Sequence, residues 1–150
     1  MDESLKVKDA RTLINKEPTV VKKDATIKEV AKKILENPKT RSVYVVNENN
    51  ELVGIIPVLQ LVQYLYYKYI PLDYIIYRFS IIVSSESKAE EIMLPPEYVH
   101  DDDPLETAVI KMFKNNLKEL PVVDDNMHIV GEINILELIS IWLKEHENAA

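Results

Sequence analysis

The chain has 150 residues, a formal net charge of −7 and no cysteine. Its 47% hydrophobic and 29% charged residues are typical of a globular protein with a full-sized core. The negative charge argues against a nucleic-acid partner, because a phosphate backbone requires a concentrated basic face. The lack of cysteine excludes disulfides and thiolate chemistry.

The first elements in chain order are a short strand and an amphipathic helix. An extended segment at residues 19–21 precedes Thr26 and Glu29, which are spaced as in a helix capping box. Apolar residues then recur at spacings of three and four, which predicts a helix with one apolar face. These residues are Ile27, Val30, Ala31, Ile34 and Leu35.

A hairpin and a second helix follow. Residues 42–46 and 52–56 are apolar or β-branched runs, and the polar residues 47–51 between them predict a turn. After Gly54 a second helical stripe begins, so the predicted order is β-α-β-β-α. The stripe consists of Val58, Leu61, Val62, Leu65 and Tyr66.

A tyrosine-rich stretch at residues 64–83 comes next. It is long enough to raise the question of a membrane span, but the charges of Lys68, Asp73 and Arg78 would be costly in a bilayer core, so we expect no span. We expect instead a helix that is kinked or broken near Pro71. Its tyrosines either enlarge the core between the two halves of the chain or form a surface for a partner.

The β-α-β-β-α order then repeats. Gly54 returns 77 positions later as Gly131, and Asp103 is a predicted N-cap for a helix that has Pro104 at its first position. The predicted strands are residues 98–99, 120–123 and 128–133. The two helical stripes are Leu105, Ala108, Val109, Met112 and Phe113, and then Ile135, Leu138, Ile139, Trp142 and Leu143. A repeated unit of this kind cannot bury its apolar face alone, so we expect the copies to pack together.

The two copies resemble a known family. Each has a Val-Val strand, a polar turn, a hydrophobic-Val-Gly sequence and a closing helix, which is similar to a tandem of cystathionine-β-synthase-type (CBS) domains, or Bateman module. The resemblance implies an α/β (α+β) fold of two β-α-β-β-α repeats with pseudo-twofold symmetry, and frequently a homodimer. On this basis residues 7–68 form the first CBS domain, 69–86 a tyrosine-rich helical connector and 87–145 the second CBS domain.

The resemblance also implies an adenosine-containing ligand, such as AMP, ADP, ATP or S-adenosylmethionine, in the clefts between the repeats. The family signature is Gly-x-x-[Ser/Thr]-x-x-Asp, in which the hydroxyl donates to a phosphate and the carboxylate accepts from both ribose hydroxyls. Both copies deviate from it. The glycine, hydroxyl and acid positions hold Gly54, Pro57 and Gln60 in the first copy, and Gly131, Asn134 and Glu137 in the second.

The second copy is the stronger candidate for a ligand site. Asn134 can donate to an oxygen and Glu137 can accept from a ribose, whereas Pro57 offers no donor and Gln60 is the weaker ribose candidate. An alternative is that Glu137 only stabilises the start of a helix, where an acid is favoured by the dipole. By resemblance, the adenine pocket would be lined by Thr19, Val20, Val43, Tyr98, Val99 and Leu120.

Neither a catalytic site nor a metal site is predicted. Residues 100–103 have the sequence His-Asp-Asp-Asp, but four consecutive loop residues cannot easily converge on one ion. We expect no enzyme activity and no cofactor. The N-terminus lacks the apolar core of a signal peptide, so we expect a cytoplasmic protein.

Two functions therefore remain from the sequence. One is a small-molecule sensor that binds an adenosine ligand and signals to an unidentified partner protein, since a ligand shifts whichever conformation it binds better. The other is a dimerisation or scaffold module that has kept the fold and lost the ligand, which the departures from the signature favour.

Overall fold

A computed structural model describes residues 4–14, 17–77, 84 and 86–147. The helices are α1 (Val7–Ala10), α2 (Ile27–Glu36), α3 (Val58–Leu65), α4 (Ala89–Ile92), α5 (Leu105–Asn115) and α6 (Ile135–Glu147). The strands are β1 (Val20–Lys22), β2 (Ser42–Val46), β3 (Leu52–Pro57), β4 (Glu119–Val123) and β5 (Ile129–Asn134). The β-α-β-β-α order predicted for each copy is confirmed, with Val99 providing the first extended position of the second copy.

The chain divides into two compact units. The first unit is Thr19–Pro96, and the second unit combines Met1–Pro18 with Glu97–Ala150. Each unit thus contains one sequence copy together with the short segment that precedes the other copy. The domain limits predicted from the sequence, 7–68 and 87–145 with a connector at 69–86, stay a prediction.

The first unit is built on the sheet β1-β2-β3. Strand β1 pairs parallel with β2, and β2 pairs antiparallel with β3 in a register that places Val45 opposite Gly54. Thr26 caps α2 by accepting the Glu29 N–H at 3.2 Å, as its sequence position predicts. The core lies between the sheet and the helices, and its members include Ile27, Val30, Val43, Ile56, Leu61, Tyr64 and Ile92.

The second unit repeats this plan around β4 and β5. These strands pair antiparallel with Val122 opposite Gly131, and Val99 bridges Val122 in parallel, as β1 does to β2. The predicted cap at Asp103 is wrong. Helix α5 begins after Pro104, and the Asp103 carboxylate instead accepts the His100 N–H at 2.8 Å, which closes the preceding turn.

Two short helices that the sequence reasoning did not predict complete the units. In the second unit, the Val7 N–H at the start of α1 donates to the Asp103 carbonyl at 3.0 Å. In the first unit, the Ala89 N–H at the start of α4 donates to the Ala25 carbonyl at 2.8 Å. Each short helix therefore attaches just before the first long helix of the copy that it joins, so α1 and α4 are equivalent elements.

The apolar stripes of the repeated helices differ in how deeply they are buried. Those of α2 and α5 enter the cores through Ile27, Val30, Leu105, Ala108 and Met112. Those of α3 and α6 lie partly in solvent, because the buried faces of these helices are formed mostly by positions outside the stripes. The exposed members are Val62, Leu65, Tyr66, Ile139, Trp142 and Leu143, whereas Gln60, Leu61, Gln63, Tyr64, Glu137 and Ile141 are buried.

The tyrosine-rich stretch is not a continuous helix. After α3 it forms two 3₁₀ turns, Tyr67–Tyr69 and Leu72–Tyr74, with the predicted break at Pro71 between them. Residues 78–83 of the stretch lie outside the described residues. The interpretation of the tyrosines as an enlarged core is wrong for four of them, since Tyr66, Tyr67, Tyr69 and Tyr74 are exposed. In the described part of the chain, no helix combines the length and apolar character needed to cross a membrane.

Candidate functional site

Asn134 and Glu137 are brought together where β5 runs into α6. The Asn134 Oδ1 accepts the N–H groups of Leu136 at 2.9 Å and Glu137 at 3.1 Å, and the Glu137 Oε1 accepts the Asn134 N–H at 3.1 Å. This reciprocal pair is a capping box that satisfies the first amides of the helix. Both residues that the sequence proposed for ribose and phosphate are therefore also structural.

The second carboxylate oxygen of Glu137 points to a different element. Glu137 is 1% exposed, and its Oε2 accepts the Ile14 N–H at 3.4 Å. Ile14 lies beyond α1, in the segment that precedes the first sequence copy. Glu137 thus joins the start of α6 to the N-terminal segment of its unit.

The glycine of the second signature lies under an arginine that sequence reasoning missed. A Cβ on Gly131 would come within 2.6 Å of Arg11 Nη1. Asp101 binds the same guanidinium through Nε at 2.5 Å and Nη2 at 3.1 Å. This hydrogen-bonded pair raises the pKa of Arg11 above its usual value, and Glu137 acts in the same direction, so the guanidinium stays charged.

A small pocket opens beside Arg11 and β5. Its volume is about 170 Å³, and its lining includes Arg11, Thr12, Glu17, Val130, Gly131 and Glu132. Glu132 is 4% exposed, so this part of the lining is almost fully buried. We call this space the Arg11 pocket.

The corresponding positions of the first unit are filled differently. A Cβ on Gly54 would meet the Met93 side chain, with Cγ at 2.6 Å and Cβ at 2.8 Å. Gln60, which occupies the acid position, is fully buried and its Nε2 donates to the Ile92 carbonyl. Its Oε1 has no hydrogen-bond partner among the described residues. Met93 follows α4 just as Arg11 follows α1, so a thioether here replaces the guanidinium of the second unit.

The six residues expected to line an adenine pocket are divided between the units. Thr19, Val20 and Val43 belong to the first unit, and Tyr98, Val99 and Leu120 to the second. Val43, Val99 and Leu120 are 0% exposed, so their side chains fill the cores. The Thr19 hydroxyl forms a hydrogen bond of 2.6 Å with the Thr40 hydroxyl. The Tyr98 carbonyl accepts a hydrogen bond from the Lys111 ammonium at 2.6 Å. A role of these residues in adenine binding stays a prediction.

The acidic run at residues 100–103 is used within the second unit. Besides the Asp101–Arg11 pair and the Asp103 turn, Asp102 lies 3.0 Å from the Lys8 ammonium. The carboxylates thus serve separate partners instead of converging on one point. Among the described residues, no group of three or more His, Cys, Asp or Glu side chains is arranged to hold a metal ion.

Comparison with known proteins assigns the family. A model of the CBS domain matches residues 7–67 and residues 89–144. The chain belongs to the CBS domain family. The predicted α/β fold with two CBS repeats is thereby confirmed.

Solved structures agree with this assignment. The crystal structure of a CBS domain-containing protein from Thermotoga maritima is similar with a TM-score of 0.81 and 43% identity, over 94% of this chain and 96% of that one. Another CBS domain pair, solved in complex with 5′-methylthioadenosine and S-adenosyl-L-methionine, has a TM-score of 0.71 and 25% identity, over 94% and 98% of the two chains.

A curated relative is much longer than this chain. L-aspartate semialdehyde sulfurtransferase of Methanocaldococcus jannaschii is 29% identical over 122 residues, which is 81% of this chain. The chain spans only 20% of that protein. The similarity therefore concerns a fifth of the sulfurtransferase.

Proposed function

We propose that this CBS domain pair is a regulatory module that binds an adenosine-containing ligand on its second unit and signals to a partner protein. The observation that carries the proposal is Glu137, an almost fully buried carboxyl group at the acid position of the family signature, whose charge acts on Arg11. Support also comes from the relative solved with 5′-methylthioadenosine and S-adenosyl-L-methionine, which shares 25% of its sequence with this chain.

The contacts of Glu137 supply a route from ligand to signal. A ribose diol that binds this carboxylate competes with the Ile14 N–H, which now donates to Oε2 at 3.4 Å. Ligand binding then changes how the segment after α1 is held. Because the ligand binds better when Oε2 is released, it shifts the population toward the state with a released segment. A partner that reads this segment would respond to the ligand.

The test is calorimetric titration with adenosine, 5′-methylthioadenosine and AMP, together with thermal unfolding. Binding to the native state raises the unfolding temperature by several degrees at ligand concentrations about 100 times the dissociation constant. Glu137→Gln keeps a capping box but removes the charge, so we expect affinity to fall about tenfold or more.

Gln60→Ala in the first unit is the comparison variant. It removes the side chain at the equivalent acid position, and we expect it to lower stability and leave affinity within about twofold of the original. Equal losses of affinity in the two variants would contradict the assignment to Glu137. A lack of binding by all three compounds would contradict the function itself.

A second function, homodimerisation, is favoured by the exposed faces of α3 and α6. Equivalent positions of the two helices carry large apolar side chains in solvent, which marks an interaction surface. They are Leu59, Val62 and Leu65 on α3, and Leu136, Ile139 and Trp142 on α6. We propose that a second copy of the chain covers them.

Sedimentation equilibrium tests the dimer. We expect the wild-type chain to sediment as a dimer and Ile139→Glu as a monomer, because a charge in an apolar interface is not compensated. Leu35→Glu, at another exposed apolar position, should remain a dimer. A monomeric wild-type chain, or the same loss in both variants, would contradict this interface.

A further inference from the structure

The tyrosine-rich stretch after α3 presents a surface outside the repeated unit. We call residues 66–76 the tyrosine loop, and residues 68–76 of it lie between the two ranges that the CBS domain model matches. At the equivalent place in the second unit, α6 continues as a helix to Glu147. We propose that the tyrosine loop packs against a second copy of the chain and completes the homodimer interface. The inference rests on the proposed homodimer and adds to it a contact surface that the repeat does not supply.

The tyrosine loop holds large apolar side chains in solvent. Its exposed members include Tyr66, Tyr67, Tyr69, Leu72, Tyr74 and Ile76. Tyr69 and Tyr74 are 70% and 73% exposed. An aromatic side chain buries about 150–250 Å² when it is covered, so each of these two offers roughly 100 Å² or more. Together they supply about a quarter of the roughly 800 Å² that each partner gives to a standard interface.

The base of the loop is fixed to α3 by one buried side chain. Gln63 Oε1 accepts the N–H groups of Ile76 at 2.8 Å and Tyr77 at 3.0 Å. Gln63 Nε2 donates to the Tyr77 carbonyl at 2.7 Å. Each of the two 3₁₀ turns in the loop is closed by a backbone hydrogen bond of 2.9 Å. The loop is therefore shaped before it binds, which lowers the entropy that association costs.

The exposed apolar face of α3 continues into the loop. Val62 and Tyr66 are spaced by one helical turn, and both are exposed. The Tyr66 ring lies beside the Tyr69 ring, with a distance of 6.2 Å between the ring centroids. A second copy that covers α3, as the proposed homodimer requires, therefore meets Tyr69 as well.

The charges of this surface favour a second copy as the occupant. Helix α3 carries no charged side chain, and the loop carries one of each sign, Lys68 and Asp73. The whole chain has a net charge of −7, so two copies repel each other wherever their acidic surfaces meet. A two-fold dimer brings the same surface of both copies together. A surface without net charge avoids this repulsion, whereas it offers no attraction to a strongly charged partner.

Sedimentation equilibrium of the full chain is the first test. Tyr69→Ser combined with Tyr74→Ser removes both rings, and we expect the dissociation constant of the dimer to rise at least about tenfold. Tyr69→Phe combined with Tyr74→Phe keeps the apolar area, so we expect a dissociation constant within about twofold of the wild-type value. All four substitutions are at exposed positions, and thermal unfolding checks that both variants fold.

A spin label gives a readout of the contact itself. The chain has no cysteine, so Lys68→Cys carries a single nitroxide in the loop, and Glu48→Cys carries one on the exposed turn between β2 and β3. We expect the label at residue 68 to be immobile while the chain is a dimer and mobile after dilution to the monomer. The label at residue 48 should be mobile in both. Loss of the dimer on labelling residue 68 but not residue 48 would also support the contact.

Contrary outcomes separate the loop from the homodimer. A wild-type dimer that the serine variant leaves unchanged, or a label at residue 68 that is mobile in the dimer, would overturn the loop contact. The homodimer stands in that case if Ile139→Glu still abolishes it. A monomeric wild-type chain would overturn the homodimer and this inference together.

A membrane surface is the other occupant that the experiment must separate. We expect the wild-type chain to stay in the supernatant when phosphatidylcholine vesicles are sedimented. Binding of the wild-type chain to the vesicles, with loss of binding in the serine variant, would assign the tyrosine loop to a membrane and overturn the inference.

Discussion

The two units differ most at the residue that covers their signature glycine. In the first unit Met93 lies on Gly54, and in the second Arg11 lies on Gly131. The acid positions follow the same division: Gln60 donates to a carbonyl, whereas Glu137 accepts from an amide. One backbone plan therefore places uncharged side chains at these positions in one copy and charged side chains in the other. This difference is why we propose the ligand site in the second copy.

The largest expected effect is a loss of folding stability when Gly54 is substituted. Gly54→Ala places a methyl group against Met93 Cγ and Cβ, and overpacking of this kind costs about 1–3 kcal/mol. Gly131→Ala should cost less, because its new methyl group meets chiefly the end of the flexible Arg11 side chain. Urea unfolding of both variants measures the two losses.

Met93→Ala in the Gly54→Ala background is the control for this mechanism. Met93→Ala removes Cγ and the atoms beyond it and leaves only the Cβ contact, so the double variant should be more stable than the sum of the two single losses predicts. Strict additivity, or equal losses from Gly54→Ala and Gly131→Ala, would show that the glycine contacts do not set the difference.

A smaller loss of stability is expected at Tyr64, whose equivalent in the second unit is the apolar Ile141. The Tyr64 hydroxyl accepts the Ser84 N–H at 2.8 Å and lies 2.8 Å from the Ser87 hydroxyl. Tyr64→Phe leaves these groups without that partner and should cost about 1–2 kcal/mol. Thermal unfolding is the measurement. Tyr66→Phe, at an exposed position, should change little, and an equal shift in both variants would contradict the role of the hydroxyl.

The strands and hairpins could be predicted because their signals are local. Val45 and Val122 lie in β-branched runs that end in polar turns, and the structure has strands at both places. The buried face of α3 could not be predicted in the same way. Periodicity shows that a helix has an apolar stripe, but the buried face of α3 includes Gln60 and Gln63, whose side chains hydrogen-bond to the backbone of residues distant from α3 in sequence.

The candidate site could be predicted only in part. The signature spacing led to Asn134 and Glu137, and the structure places both at the start of α6. Arg11 was missed because it is far from Gly131 in sequence, and α1 is too short for a periodic signal. A weak signal existed. Lys6 and Asp9 precede Arg11 at the same spacing at which Lys88 and Glu91 precede Met93.

The smallest expected effect concerns the two hairpin turns and their pH dependence. Asp124 accepts the N–H groups of Asn126 and His128, and Asn47 accepts those of Asn49 and Glu51 at the equivalent turn. The hydrogen bond from the His128 backbone holds the pKa of Asp124 below its usual value. The contribution of the Asp124 carboxylate to folding stability is therefore present above the ordinary aspartate pKa. It is lost as the pH falls through the lowered pKa of Asp124.

Amide hydrogen exchange during acid titration measures this contrast. The amides of Asn126 and His128 should lose protection at acid pH, whereas those of Asn49 and Glu51 should not lose it through their own turn. Asp124→Asn should make the second turn behave like the first. Parallel loss of protection in both turns of the wild-type chain would mean that global unfolding, not Asp124, sets the response.

The most direct test of the account is an NMR titration of the ¹⁵N-labelled chain with 5′-methylthioadenosine. The proposed site predicts that amide shifts concentrate at Ile14 and Asn134, whose N–H groups donate to the Glu137 carboxylate. Shifts are also expected at Leu136 and Glu137, whose N–H groups donate to Asn134 Oδ1 in the same capping box. The amides around Gln60 and Met93 should change much less. Shifts centred on Gln60 and Met93, or a spectrum that does not change with saturating ligand, would contradict the assignment of the adenosine site to the second unit.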